Sequence, residues 1–130
     1  MNYYYYHSNK KHQPIRSKYG NRIVEFDGYK FDSQGESMRY YQLKMLQKAG
    51  KISGLQVHVP FELIPKDGKH RAIYYEADFV YIEDGEKIVE DFKGFRTDVY
   101  KIKKRMMKWL YDIDIRETSD KDLGKKPVRL

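Results

Sequence analysis

The chain has 130 residues, of which 40% are hydrophobic and 35% charged, and its net charge is +7. Those figures describe one globular domain with room for a sheet and a few helices, and they exclude a disordered chain. There is no cysteine, which excludes disulfides, thiolate zinc sites and cysteine nucleophiles, and no apolar run approaches the roughly 20 residues that span a bilayer. The opening MNYYYYHSNKKHQ has no apolar core and no small-residue cleavage site, so no secretory leader is expected and a cytoplasmic location is. The positive balance points to a polyanionic partner, usually nucleic acid, against the alternative of a solvated basic surface.

In chain order, residues 1–20 read as a flexible, basic, tyrosine-rich arm carrying Lys10, Lys11, Arg16 and Lys18. Tyr3 to Tyr6 could stack on unpaired bases, or belong to a plain disordered tail. A domain spanning 21–117 follows. Residues 22–31 predict a short β-hairpin turning at Asp27-Gly28. Ser33 is a helix N-cap with Glu36 three residues on, a capping box. Met38, Tyr41, Met45, Leu46 and Ala49 give that helix its apolar stripe, and Gly50 ends it. Leu55, Val57 and Val59 alternate with Gln56 and His58 as in a half-buried strand, which Pro60 is expected to interrupt before FELI resumes. PKDGK is a turn. Residues 72–82 and 87–93 form the strongest hairpin signal, turning at Asp84-Gly85. A second helix over about 98–111, capped by Thr97 or Asp98, takes Val99, Ile102, Met106, Trp109 and Leu110 as its apolar face. Ile113 and Ile115 suggest a last short strand, and 118–130 a basic tail. The order is helix, three strands, helix, strand, an αβββαβ core. Its class is α/β or α+β, with a mixed central sheet flanked by helices.

The second hairpin can be read for geometry. A two-residue turn at Asp84-Gly85 sets Val80 opposite Val89, then Asp78 opposite Asp91 and Glu76 opposite Lys93. Strict alternation puts Glu76, Asp78, Val80, Val89, Asp91 and Lys93 on one face. Facing carboxylates lie about 5 Å apart at Cβ and repel unless neutralised. A proton, Lys93 or a divalent cation could neutralise them, and two Asp at this spacing suit Mg²⁺. Lys93 adds a positive group able to orient a water or stabilise a phosphate. The competing explanation is a set of ordinary cross-strand ion pairs worth at most about 1 kcal/mol. Glu90, next to Asp91, points to the opposite face by the same alternation.

EAD at 76–78 with DFK at 91–93, in an αβββαβ order, resembles the PD-(D/E)xK nuclease superfamily. The stretch FDSQGESMRYYQLKMLQKAGKISGLQVHVPFEL is similar to a phage and prophage group of that superfamily. This group is related to archaeal Holliday junction resolvases and to the endonuclease subunit of a Tn7-type transposase. Ala77 stands where the named motif has proline, a small departure within a strand. The resemblance implies a restriction-endonuclease-like core. It implies catalysis by Asp78, Asp91, Lys93 and Glu36, with Mg²⁺ or Mn²⁺ held by Asp78, Asp91, Glu36 and the backbone carbonyl of Phe92. The alternative reading of Glu36 is the capping box alone, although a residue in the first helical turn can do both.

The implied activity is metal-dependent hydrolysis of DNA phosphodiesters, with branched DNA as a refinement and a homodimer suited to two symmetric cuts. The alternative is a DNA-binding accessory protein without catalysis. Tyr100, Lys103 and Lys104 on the second helix could contact DNA phosphates or form a solvated basic face. His7, His12, His58 and His70 lie at no metal spacing and are expected to be exposed. No phosphate-binding glycine loop appears.

Overall fold

The computed structural model describes residues 23–123. The basic arm with Lys10, Lys11, Arg16 and Lys18, and the end of the tail, lie outside the described residues. Strands β1 (Val24–Phe26) and β2 (Tyr29–Phe31) form the first hairpin, with Asp27 and Gly28 both at positive φ in its turn. The Asp27 carboxylate accepts from Tyr40 and Lys44, which fastens the turn to helix α1 (Gln34–Lys48). That helix starts as its sequence predicts: Ser33 Oγ accepts from the Glu36 amide, and Gly50 follows the C-cap at positive φ.

Four strands make the main sheet in the order β3-β4-β5-β6. They are β3 (Ile52–Ile64), β4 (Ile73–Glu83), β5 (Glu86–Phe92) and β6 (Arg116–Thr118). β3, β4 and β5 run antiparallel, while β6 joins β5 in parallel after the crossover through helix α2 (Asp98–Tyr111). The sheet is therefore mixed and flanked by helices, with the expected αβββαβ order. No helix among the described residues is long and apolar enough to cross a membrane.

Two apolar layers cover the sheet. On one side Phe31, Tyr40, Leu43, Ile52, Phe79 and Tyr81 pack under α1 and the first hairpin. On the other, Leu63, Tyr75, Ala77, Val80, Val89, Tyr100, Met107 and Ile115 pack under α2. Each fully buried large side chain contributes about 1.5–3 kcal/mol through area removed from water.

Four expectations need correction. Pro60 does not interrupt β3, which is continuous and pairs Pro60 with Glu76. As the sheet's edge strand, β3 can hold a residue with no N–H to donate where no neighbour asks for one. The last strand lies at Arg116–Thr118, beyond Ile113 and Ile115, whose side chains fill the α2 layer instead. A short helix, α3 (Asp120–Leu123), follows where only a polar tail was expected.

The face of α2 is the fourth. Val99, Ile102, Trp109 and Leu110 are exposed, Trp109 by 87%, and only Met106 of the expected stripe is partly covered. The face against the sheet is a mixed one, formed by Tyr100, Lys103, Lys104, Met107 and Tyr111. Tyr100 and Lys104 bond to Glu117, Lys103 to the Tyr74 carbonyl and Tyr111 to the Glu62 carbonyl. These polar anchors set the helix rotation, which a count of apolar residues cannot register. Trp109→Ala is expected to change unfolding free energy by less than about 0.5 kcal/mol, and Met107→Ala to cost about 2–5 kcal/mol. Denaturant melts of the two variants check both values.

Candidate metal centre

The Asp84-Gly85 turn has both residues at positive φ and sets the expected register, pairing Val80 with Val89 and Phe79 with Glu90. At Asp78 the ladder changes character. Its Oδ2 accepts from the Phe92 amide at 2.7 Å, so a side chain takes the place of a strand-to-strand bond. Its carboxyl is in contact with those of both Glu36 and Asp91. Asp91 is buried, 2% exposed, with Oδ2 accepting from the Tyr75 hydroxyl at 2.7 Å and Oδ1 at 3.3 Å from Lys93 Nζ. The Lys93 ammonium also lies 4.4 Å from the centre of the Tyr100 ring. Asp78, Asp91, Lys93 and Glu36 thus meet at one place, beside the Phe92 backbone.

The expected common face does not hold for all six residues. Val80, Val89, Asp91 and Lys93 keep to the α2 side, but Glu76 and Asp78 turn toward α1. His58 explains the turn. It sits on β3 at φ 56, between Val57, which pairs with Phe79, and Val59, which pairs with Ala77. Val57 packs in the α1 layer and Val59 in the α2 layer, as do Phe79 and Ala77 on the neighbouring strand. Alternation therefore breaks on both strands at one level, and His58 and Asp78 leave it on the α1 side. Lys93 consequently faces Asp91 rather than Glu76, and Glu76 Oε1 lies 3.8 Å from His58 Nδ1.

Glu36 reaches this point because α1 starts hard against the end of β5. A Cβ added at Gly35 would stand 2.9 Å from the Phe92 ring and 2.6 Å from Asp120 Oδ1. Glu36 is only 4% exposed; its Oε2 accepts from the amide of Asp32, the residue before the N-cap Ser33, so the side chain ties down the helix start and faces Asp78 at once. Its Oε1 is buried with no hydrogen-bond donor among the described residues. Leaving such an oxygen unmet costs about 1–3 kcal/mol. Burial, then the Asp32 charge, pushes the Glu36 carboxyl up to about 8. Burial, then Glu36 and Asp91, holds Asp78 well above the ordinary carboxylate range. Three carboxyl groups with an unmet buried oxygen form a donor set that fits a divalent cation.

His58 is where residue spacing misleads. It is buried, its ring packs against Tyr29 and Phe31, and Nε2 is 3.0 Å from the Lys30 carbonyl oxygen. Burial lowers its pKa to about 4. A ligand atom of His58 lies within 4.8 Å of those of Glu36 and Asp78. The only cue in the sequence is a lone histidine in an otherwise apolar strand. Tyr75, Arg96 and Glu117 were also not foreseen as site residues.

These shifts have opposite consequences for stability. The Glu36 contribution is complete below its ordinary 4.5 and is lost as pH rises through about 8. The His58 contribution is complete above its ordinary 6.5 and is lost as pH falls toward 4. Between pH 6.5 and 8 only the carboxyl trend remains, so the metal-free protein is expected to lose stability over that window. Glu36→Gln should flatten the slope, as read by denaturant unfolding at each pH.

Glu90 and the second helix complete the surroundings. Glu90 is fully buried on the α1 side, as alternation predicts. It accepts two bonds from Arg39, at 2.7 and 2.8 Å, one from Tyr81 at 2.6 Å and one from Thr118 at 3.0 Å. Glu117 pairs with Asp91 across β5 and β6 and gathers Tyr100, Lys104 and Arg96 at 2.8–2.9 Å. Lys104 is therefore anchored beside the Asp91 strand. Lys103 instead reaches back to Tyr74 at the start of β4.

Comparison with family models matches residues 16–121 to the family described as "Protein of unknown function (DUF1064)", and the chain belongs to that family. No curated protein and no solved structure matches it.

Proposed function

We propose that this member of the DUF1064 family is a Mg²⁺- or Mn²⁺-dependent endonuclease acting on DNA phosphodiesters. The observation that carries the reading is the meeting of Asp78, Asp91 and Glu36 carboxyls with a buried unmet oxygen, and an ammonium 3.3 Å from Asp91. The motif resemblance of residues 76–78 and 91–93 to the PD-(D/E)xK superfamily supports it independently.

Asp78, Asp91 and Glu36 would hold the ion, with the Phe92 carbonyl as a further oxygen. When bound, it supplies an activated water and neutralises charge on the phosphate. Lys93, held over the Tyr100 ring and against Asp91, is placed to orient the attacking water and to stabilise developing negative charge. Tyr75 fixes the Asp91 carboxylate through its hydroxyl. Lys104 and Arg96, anchored by Glu117, are placed to hold a DNA phosphate, and the net charge of +7 favours approach of the polyanion. Contacts to the backbone read charge and shape rather than sequence, so a preference for branched DNA belongs to the same proposal. A homodimer making paired cuts and a cytoplasmic setting belong to it as well.

The test is nicking of supercoiled plasmid and of branched DNA with Mg²⁺ or Mn²⁺. Wild type is expected to cut. Asp91→Asn and Lys93→Ala should each fall by about 10²–10⁴-fold, the scale of removing one group that stabilises a transition state. A wild type that binds DNA but cuts none of these substrates with either ion would replace the enzyme with a DNA-binding accessory protein.

A further inference from the structure

We infer that Glu36, His58 and Asp78 form a mixed nitrogen–oxygen site for a first-row transition ion of the Mn²⁺, Co²⁺ or Zn²⁺ kind, beside the Asp78–Asp91 pair and sharing Asp78 with it. The inference deepens the metal-dependent reading and relies on it for Asp78 as a ligand.

Geometry comes first. One ligand atom from each of the three residues lies within 4.8 Å of the others. Ligands at about 2.0–2.2 Å from one ion stand about 3.3–3.6 Å apart at tetrahedral angles, so side-chain movement of about an ångström closes the set. Glu36 adds an independent sign: its side chain is almost fully buried and directs an oxygen without a donor into this cluster.

The imidazole is prepared as a ligand in two respects. A carbonyl oxygen can only accept, so the Nε2 next to the Lys30 carbonyl carries the hydrogen and Nδ1 keeps the lone pair. Metal-binding histidines characteristically donate their other N–H to a carbonyl or carboxylate in this way. Finally, a non-glycine residue at φ 56 inside a strand carries roughly 1–3 kcal/mol of backbone strain. That conformation turns His58 to the same side as Asp78 and Glu36. Glu76 Oε1, 3.8 Å from Nδ1, is near enough to add an oxygen.

The donor set decides the metal. Imidazole suits Zn²⁺ and its transition-metal neighbours, carboxylates suit Mn²⁺, and imidazole is foreign to the all-oxygen shells of Mg²⁺ and Ca²⁺. A site with one nitrogen and two or three carboxylate oxygens therefore retains transition ions in the presence of Mg²⁺.

The experiment uses the full chain without DNA. Mn²⁺ is titrated in excess Mg²⁺, with affinity from calorimetry and ¹⁴N coupling to bound Mn²⁺ from pulsed electron paramagnetic resonance. Wild type is expected to bind Mn²⁺ with nitrogen coupling. His58→Gln should lose the coupling and at least tenfold in affinity, and Asp91→Asn should keep the coupling. Glu36→Gln, which leaves the histidine in place, should also weaken Mn²⁺ at least tenfold; it provides the test if His58→Gln does not fold. Absent coupling in wild type, coupling that survives in His58→Gln, or Mn²⁺ affinity unchanged in Glu36→Gln would overturn the site. A protein that shows the coupling but nicks no DNA keeps this site and loses the nuclease; one that nicks without the coupling does the reverse.

Discussion

Replacing Asp78 with Asn is expected to stabilise the metal-free protein and, in the same step, to remove its affinity for divalent ions. Asp78 lies between two other carboxyls, and burial together with their charges opposes its ionisation. An Asn side chain has nearly the same shape. Its carbonyl oxygen can still accept from the Phe92 amide, the bond that Asp78 makes at 2.7 Å. Its amide can donate to Glu36, whose Oε1 has no donor among the described residues. Where Asp78 is ionised, the substitution thus removes a buried like charge and satisfies a buried acceptor, a gain on the order of 1–3 kcal/mol. A neutral amide is a poor ligand for a hard cation, so the stabilisation that Mn²⁺ gives wild type, which grows with the logarithm of free ion over Kd, should vanish. Denaturant melts with and without Mn²⁺ read both effects. A variant less stable than wild type without metal, and equally stabilised by Mn²⁺, would show Asp78 to be a structural residue.

Glu90→Ala is expected to be the most destabilising of the single substitutions considered, at about 3–5 kcal/mol, the usual result of breaking a buried ion pair from one side. Four hydrogen bonds end on this carboxylate, and the Arg39 guanidinium, which is largely buried, would keep its charge with no counter-charge and the neutral Gln42 side chain to donate to. Arg39 is on α1, Tyr81 on β4 and Thr118 on β6, so the loss loosens three elements from β5 together. Divalent-ion affinity in whatever fraction stays folded should be close to that of wild type, because Glu90 faces away from Asp91. Thermal unfolding and Mn²⁺ calorimetry at low temperature separate the two readouts. Adjacent acids on one strand thus divide the work, Glu90 holding the fold and Asp91 facing the metal centre.

How far these placements are legible in the sequence differs from residue to residue. The Asp84-Gly85 turn sets the β4–β5 register because two adjacent residues at positive φ are a local demand that Asp-Gly meets. Ser33 and Glu36 likewise mark the start of α1 by chemistry within four residues. Glu90 is placed correctly by alternation alone. Alternation fails one step earlier on β4, at Asp78, because His58 on the next strand adopts a left-handed backbone that nothing in its neighbours dictates. That conformation is a tertiary outcome, and with it goes the histidine's position beside Glu36. The rotation of α2 is hidden for a related reason: Lys103, Lys104 and Tyr111 anchor it through polar atoms to Tyr74, Glu117 and Glu62. An apolar count sees only Val99, Ile102 and Trp109, which end in solvent.

The most direct measurement is anomalous diffraction from crystals of the full chain soaked in Mn²⁺. A peak is expected between the Asp78 and Asp91 carboxylates, roughly 2.0–2.6 Å from an oxygen of each. Crystals that take up Mn²⁺ elsewhere while those two carboxyls stay in mutual contact, sharing a proton with no peak between them, would contradict it.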